Sequence, residues 1–371
     1  MPLYLTDDQV MLRDTARQLM ADEGSIANQL RKYRDMGCSD GFGHGLWKQL
    51  AELGFTGIRI GEADGGLGLG HVEAGIVLEE IGRNLTPSPF LVTAVAVVEA
   101  LTGTPHAQRW FPGILAGDTV AALAVDEGPK HRPETIAMRA ERAGNGFRLT
   151  GRKQFVVQGA SADLIVVAAR APEGVTLFAV EKDARGLEVE GARLVDSSIG
   201  ARLDFQGVEV DSDAVIGEVG GGDAVLARVL NAGRAGAASE MVGLGSAAMA
   251  MTVDYLRQRK QFGKLIGEFQ ALQHRAAHLY SELEIARSAA LKAQQLLDEG
   301  SEEAEAMVSV AKAKAGRAST LAGQEGIQMH GGIGMTDEYD IGLYMKRDRA
   351  LNELFGDPNY HADRLARMKG Y

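Results

Sequence analysis

The chain has 371 residues, 45% of them hydrophobic and 24% charged, which is enough for two or three domains with a buried core and excludes wholesale disorder or a fibrous chain. Cys38 is the only cysteine, so an internal disulfide framework and a Cys-rich metal cluster are excluded. The balance of 39 basic against 50 acidic side chains gives a formal charge of -11, which disfavours broad nucleic-acid wrapping or an anionic membrane surface and leaves room for a local basic patch facing a phosphorylated small molecule.

Met1 to Gln18 read as an acidic and apolar helix, with no basic region followed by an apolar run, so no export signal is expected. No window is apolar enough to span a bilayer, and the expectation is a cytoplasmic protein without membrane insertion. Thr6 followed by Asp7 and Asp8 predicts a helix start, and apolar residues at three- and four-residue spacing continue helical text to about Leu115. Val10, Leu12, Ala16 and Leu19 form one stripe, and Leu46, Leu50 and Leu53 another. The run from Asp64 to Gly70 is either a turn between helices or a phosphate cradle, with the turn favoured by the weak preceding strand and the wrong glycine spacing.

From Asp118 the text turns β-prone. Thr119 to Val125, Phe147 to Thr150, Phe155 to Val157, Leu164 to Ala169, Thr176 to Val180, Leu187 to Glu190 and Leu203 to Val210 predict short strands, separated by turns such as Gly144-Asn145-Gly146 and Pro172-Glu173-Gly174. A small barrel or a sandwich would satisfy them. Gly217 to Gly222 reads as a linker, and Ala276, Leu279, Leu283, Ala286, Ala290, Ala293 and Leu297 then mark a closely packed helical bundle. Gly300 predicts a helix stop and Ser301 the next N-cap. The expected domains are residues 1–117, helical; 118–216, β; and 217–371, helical.

The histidines are scattered, no His-Glu-x-x-His stands on a helix and no serine occupies a nucleophile elbow, so neither a metal site nor a hydrolase is expected. Two segments stand out. Arg257-Gln258-Arg259-Lys260-Gln261-Phe262-Gly263-Lys264, followed by Phe269-Gln270, joins dense positive charge to an aromatic and a glycine. Gln328-Met329-His330-Gly331-Gly332-Ile333-Gly334 runs a polar helix end into a glycine turn. Guanidinium and backbone donors suit a pyrophosphate and Phe262 suits stacking on a base, so an adenine dinucleotide is the natural guest; a solvated helix end and an ordinary turn are the plain alternative for either segment alone.

With the helix, β, helix order, these segments make the chain resemble the acyl-CoA dehydrogenase family, and Gly151 to Phe155, Ala162-Asp163 and Asp204 to Val210 resemble its β domain. The resemblance implies an α+β fold with an N-terminal helical domain, a central β-barrel and a C-terminal four-helix bundle. It implies that Arg259, Phe262 and Gln270 hold the FAD of a neighbouring subunit and that Gln328, Gly331 and Gly332 touch its adenosine and pyrophosphate. The implied chemistry is α,β-dehydrogenation of an acyl-CoA thioester: a carboxylate takes the α proton, flavin N5 takes the β hydride, and an electron-transfer flavoprotein or similar carrier takes the electrons. The assembly implied is at least a dimer and usually a dimer of dimers.

The chain departs from the family pattern at its base. The usual Glu-Gly-Thr turn falls on Phe355-Gly356-Asp357, and the alternative Glu before an arginine falls on Gly233 before Arg234; neither Phe355 nor Gly233 accepts a proton. Val125-Asp126-Glu127 replaces the Thr-Glu flavin segment, and Phe155-Val156-Val157 replaces the aromatic-x-Thr beside flavin N5, where Val157 has only its backbone amide to offer. Residues serving a neighbour's FAD survive while those serving this chain's own chemistry are lost. That asymmetry implies a subunit of a heteromeric enzyme, resembling the smaller subunits of members acting on steroid side chains. Two other readings stay open: an active enzyme with its base moved to Glu240, Glu353 or Asp357, or a non-catalytic assembly subunit. Arg234 is the candidate to orient a substrate or an acidic partner, and His330 and His361 are candidate titrating groups.

Overall fold

Thr6 accepts the Gln9 N–H at 3.3 Å while its own N–H donates to Gln9 Oε1 at 3.0 Å, a reciprocal capping box that starts the first helix where the hydroxyl and the two aspartates predict it. The computed structural model describes residues 3–371; Met1 and Pro2, the first residues of the expected N-terminal helix, lie outside the described residues. Helices α1 (Asp7–Asp22), α2 (Lys32–Asp35), α3 (His44–Glu52), α4 (His71–Asn84), α5 (Val98–Leu101) and α6 (His106–Leu115) come first. Strands β1 (Ala121–Ala124), β2 (Arg139–Ala143), β3 (Gly146–Val157), β4 (Leu164–Ala171), β5 (Gly174–Glu181), β6 (Leu187–Arg193), β7 (Ile199–Val210) and β8 (Val215–Ile216) follow. The chain then runs through α7 (Gly222–Gln258), the hairpin β9 (Lys260–Gln261) and β10 (Lys264–Leu265), α8 (Gln270–Asp298), α9 (Ala304–His330), α10 (Ile341–Glu353) and α11 (Pro358–Met368).

These elements divide into two units that do not follow chain order. One holds the described residues up to Arg31, His71–Thr86 and Arg234–Tyr371; the other holds Lys32–Gly70 and Pro87–Gly233. In the second unit the strands pair in the order β6-β7-β3-β2-β4-β5-β8, with β1 parallel beside β4. Phe147, Leu149, Ile165, Val167, Phe178, Leu203 and Phe205 fill its core, and alternation along β3 sends Arg148 and Arg152 outward. The predicted runs Phe147 to Thr150 and Phe155 to Val157 are one strand, whose register with β7 slips between Lys153 and Val156. Strand β2 escaped the sequence pattern because Ala140 is its one buried side chain.

The glycine run after Asp64 resolves as a turn. The amides of Gly66, Leu67, Gly68 and Leu69 donate to Gly61, Gly57, Ile60 and Ile58, so they face their own loop and not a phosphate. In the first unit α7, α8 and α9 meet through small residues: a Cβ at Gly245 would stand 2.6 Å from Leu283 Cδ2 and 3.5 Å from Ser319 Cα. Asp298, at the end of α8, accepts the His71 and Val72 N–H groups at 2.6 and 3.1 Å and so caps α4. Leu279, Leu283, Ala286, Ala290 and Ala293 are buried as their spacing predicts, and Gly300 turns the chain at φ +63°. One expectation fails locally: α9 begins at Ala304, not directly after Ser301, whose hydroxyl accepts from Glu303 N–H in the preceding turn.

Candidate functional site

Both segments singled out in the sequence leave the same end of the first unit. Helix α7 ends at Gln258, and the hairpin that follows turns through Phe262 at φ +53° and Gly263 at φ +80°. That is the two-residue primed turn that matches strand twist, where Asn or Gly is the usual first residue. Phe262 is 92% exposed, and its ring meets Phe269 edge-on at 6.3 Å. Among the described residues, the cationic heads of Arg257, Arg259 and Lys260 have no carboxylate partner. Lys264 lies 4.2 Å from the Phe269 ring, and Gln270 is the first residue of α8.

The second segment is the end of α9. Gln328 is exposed, Gly331 turns the chain at φ +67°, and a Cβ built on Gly331 or Gly332 would meet nothing within 4 Å. The two segments are joined from beneath: the rings of Tyr255, four residues before Arg259, and His330, one residue before Gly331, stack at 4.4 Å. A strained exposed aromatic, unpaired cations and open glycine backbone thus share one end of a helical unit.

At the other end lies the turn expected to hold a base. Phe355 is buried at φ +61°, and its carbonyl accepts from Arg234 Nε at 3.2 Å and faces His361 Nε2 at 3.1 Å. Arg234 also donates to the Tyr360 hydroxyl at 3.2 Å and lies 5.6 Å from that ring. Burial, then repulsion from Arg364, pulls its guanidinium down to about 10. Lys312 completes the group from α9: its ammonium donates to the carbonyls of Leu351 at 2.9 Å and Gly356 at 3.0 Å. Burial lowers Lys312 to about 7, and burial followed by the charge of Lys312 takes His361 down to about 2, so His361 is a neutral ring. The sequence reading missed Lys312; its signal is a lone lysine in line with the small and apolar residues Val308, Ala311 and Ala315.

The carboxylates proposed as substitutes have partners here. Glu240 is 2% exposed and accepts from Arg347 Nε at 2.8 Å, and Asp357 caps α11 by accepting the Asn359 and Tyr360 N–H groups. Glu353 stands in the last turn of α10 and also has a partner. Gly233 directly precedes Arg234 within α7.

In the second unit, Phe155 lies in the bulge of β3 at φ +53°, and Val157 pairs with Gly200 of β7. Lys153, fully buried, donates to Glu127 at 2.8 Å and to the Val125 carbonyl at 2.9 Å. Burial raises the Glu127 carboxyl, but the Lys153 charge and the amides of Met138 and Ala137 carry it below the usual carboxylate range. Asp126 faces His131 Nδ1 at 2.9 Å. The segment expected beside a flavin is therefore tied into an internal ion pair and a hydrogen bond to His131.

The comparisons with known proteins agree with this architecture. The N-terminal, middle and C-terminal domain families of acyl-CoA dehydrogenases match residues 6–118, 127–208 and 220–369. Isovaleryl-CoA dehydrogenase of Solanum tuberosum is 32% identical over 327 residues, 83% of this chain and 78% of its own length. The acyl-CoA dehydrogenase FadE12 of Mycobacterium tuberculosis is 32% identical over 322 residues, covering 82% of each. Among solved structures, a variant of the Tcur3481-Tcur3483 steroid ACAD gives a TM-score of 0.90 at 28% identity over 98% of both chains. The ChsE4-ChsE5 complex from Mycobacterium tuberculosis gives 0.92 at 23% identity over 100% of both, a likeness of fold. The chain belongs to the acyl-CoA dehydrogenase family of flavoprotein oxidoreductases. Among the described residues, no helix is long and apolar enough to cross a membrane.

Proposed function

We propose that this chain is a subunit of a heteromeric acyl-CoA dehydrogenase that supplies one arm of an FAD site and leaves abstraction of the α proton to its partner. The observation that carries this reading is the contrast within the first unit. At one end, cations, an exposed ring and open glycines are free to meet a ligand. At the other, Phe355 stands where the family resemblance puts the base, and its backbone is braced by Arg234 and Lys312.

The donors present fit FAD at the hairpin end. Arg259 would meet the pyrophosphate, Phe262 a ring face, Gln270 and Gln328 polar edges, and Gly331 and Gly332 would admit the ligand to the backbone, where a Cβ would otherwise project into open space. Val157 offers a backbone amide alone where the resemblance expects a hydroxyl, so this chain's own sheet, with Phe155 as its ring, is the poorer flavin seat. Bound FAD supplies the hydride-accepting chemistry of acyl-CoA oxidation. Arg234, whose Nε and Nη2 donate to Phe355 and Tyr360, serves here as a brace of the turn and not as a substrate contact. The pairing of two proteins in the Tcur3481-Tcur3483 steroid ACAD supports the heteromeric setting, with an acyl-CoA thioester as substrate class and an electron-transfer flavoprotein or similar carrier as acceptor.

Exchange of the thioester α proton with D2O tests the division of labour without relying on flavin reduction. Incubated with butanoyl-, octanoyl- and steroid side-chain CoA thioesters, the purified chain should leave the α position unlabelled, and Phe355→Glu should begin to label it. Labelling by the unaltered chain, abolished in Glu353→Gln or Asp357→Asn, would place a working base in this subunit and overturn the reading.

A further inference from the structure

Three rings stand between the hairpin and the glycine turn. His330 stacks on Tyr255 at 4.4 Å and on Tyr339 at 4.8 Å, and the two tyrosines meet edge-on at 6.4 Å. His330 Nδ1 lies 2.6 Å from the Gly326 carbonyl, an acceptor, so Nδ1 carries the proton and Nε2 is left to accept from the Tyr339 hydroxyl at 3.2 Å. Burial lowers the His330 pKa, which keeps this neutral arrangement in place at pH 7.

The three rings come from three segments of the chain. Tyr255 Cα sits in the last turn of α7, and its carbonyl accepts the N–H of Arg259; the Arg259 carbonyl in turn accepts the N–H of Ile266 and closes the hairpin. His330 ends α9 and opens the turn Gly331–Met335. Gly334 packs back on it so closely that a Cβ there would stand 3.1 Å from His330 Cβ. Tyr339 lies just before α10. The last two turns of α7 pack closely beside both segments. A Cβ at Gly267, after the hairpin, would stand 2.9 Å from the Leu256 carbonyl oxygen, and one at Gly326, beneath the turn, 3.2 Å from Thr252 Oγ1.

We propose that Tyr255, His330 and Tyr339 form a shared joint that ties the hairpin to the glycine turn, so that the two arms grip or release an anionic nucleotide together. The joint rests on these contacts; that its output is nucleotide grip rests on the FAD reading above. His330 and Tyr339 are positioning residues, since neither has to touch the ligand. Packed rings, two of them joined by a hydrogen bond and the middle one anchored to the Gly326 carbonyl, move as a body, so loosening one side transmits to the other.

Hydrogen exchange on the full chain reads the coupling without ligand, and a fluorescence titration with FAD reads its consequence. Tyr339→Phe removes one hydroxyl and keeps the ring; His330→Phe keeps the stack and removes both hydrogen bonds. Each should speed exchange about three- to tenfold in peptides covering residues 259–268 as well as 331–336, with the thermal midpoint and the protection of α8 unchanged, and should weaken FAD binding by a similar factor. Faster exchange confined to 331–340, with the hairpin unaffected, would overturn the joint. Should both segments loosen together while FAD affinity stays constant in these variants and in Arg259→Ala, the joint stands and the nucleotide reading falls.

Discussion

Phe262 and Phe355 both adopt left-handed backbone, at φ +53° and +61°, a conformation that costs a residue with a Cβ roughly 1–2 kcal/mol. Their surroundings differ. Phe355 is buried and its carbonyl is held by buried donors, whereas Phe262 is 92% exposed and gains little from the fold. A strained, exposed aromatic in a turn that prefers asparagine is best explained by a ligand or partner for its ring. Phe262→Asn should therefore leave the thermal midpoint equal or higher while weakening FAD retention, checked by melting and flavin titration. Arg259→Ala should weaken FAD by roughly 10- to 100-fold, the loss of a charge-assisted bond of about 1.5–3 kcal/mol, and unchanged affinity would count against the assignment. Lys312 predicts a pH effect. Its folded value of about 7 lies below the ordinary 10.5, so between those limits the unfolded chain holds a proton that the native chain has released. Unfolding free energy should rise with pH across that window. Urea midpoints should climb from pH 7 to 9 in the unaltered chain and climb less in Lys312→Met.

The helices of the first unit meet backbone to backbone where glycines face each other. A Cβ at Gly243 of α7 would collide with the Glu79 carbonyl oxygen of α4, and one at Gly82 of α4 with the Glu240 carbonyl oxygen of α7. Gly243→Ala should lower stability by about 1–3 kcal/mol, the usual effect of overpacking, while Gly263→Ala should act only through its positive φ; denaturant melts of both variants separate the two causes. At this scale the long helices were legible, because apolar residues at steps of three and four from Leu279 to Ala293 are a local signal. Strand β2 was not, since Arg139-Ala140-Glu141-Arg142-Ala143 places one small residue in the core and shows no β-branched or aromatic run.

The charged arm and the glycine turn could be read because each is contiguous in the chain, and their stacking at one end could not, because Tyr255 and His330 are brought together by the packing of long helices. The same limit hid the brace beneath Phe355: Arg234 reaches it across 121 positions, and the stripe position of Lys312 marks it as buried without saying which carbonyls it meets. The molecule as a whole carries a formal charge of -11, yet Arg257, Arg259 and Lys260, at and just before the hairpin, have no carboxylate partner among the described residues, an arrangement suited to an anionic ligand and poorly explained by solubility alone. The most direct measurement is anaerobic visible absorbance of the purified chain, supplied with FAD and then with an acyl-CoA thioester. The flavin band should persist for this chain by itself; bleaching in proportion to the chain present would show a working base in this subunit and overturn the heteromeric reading.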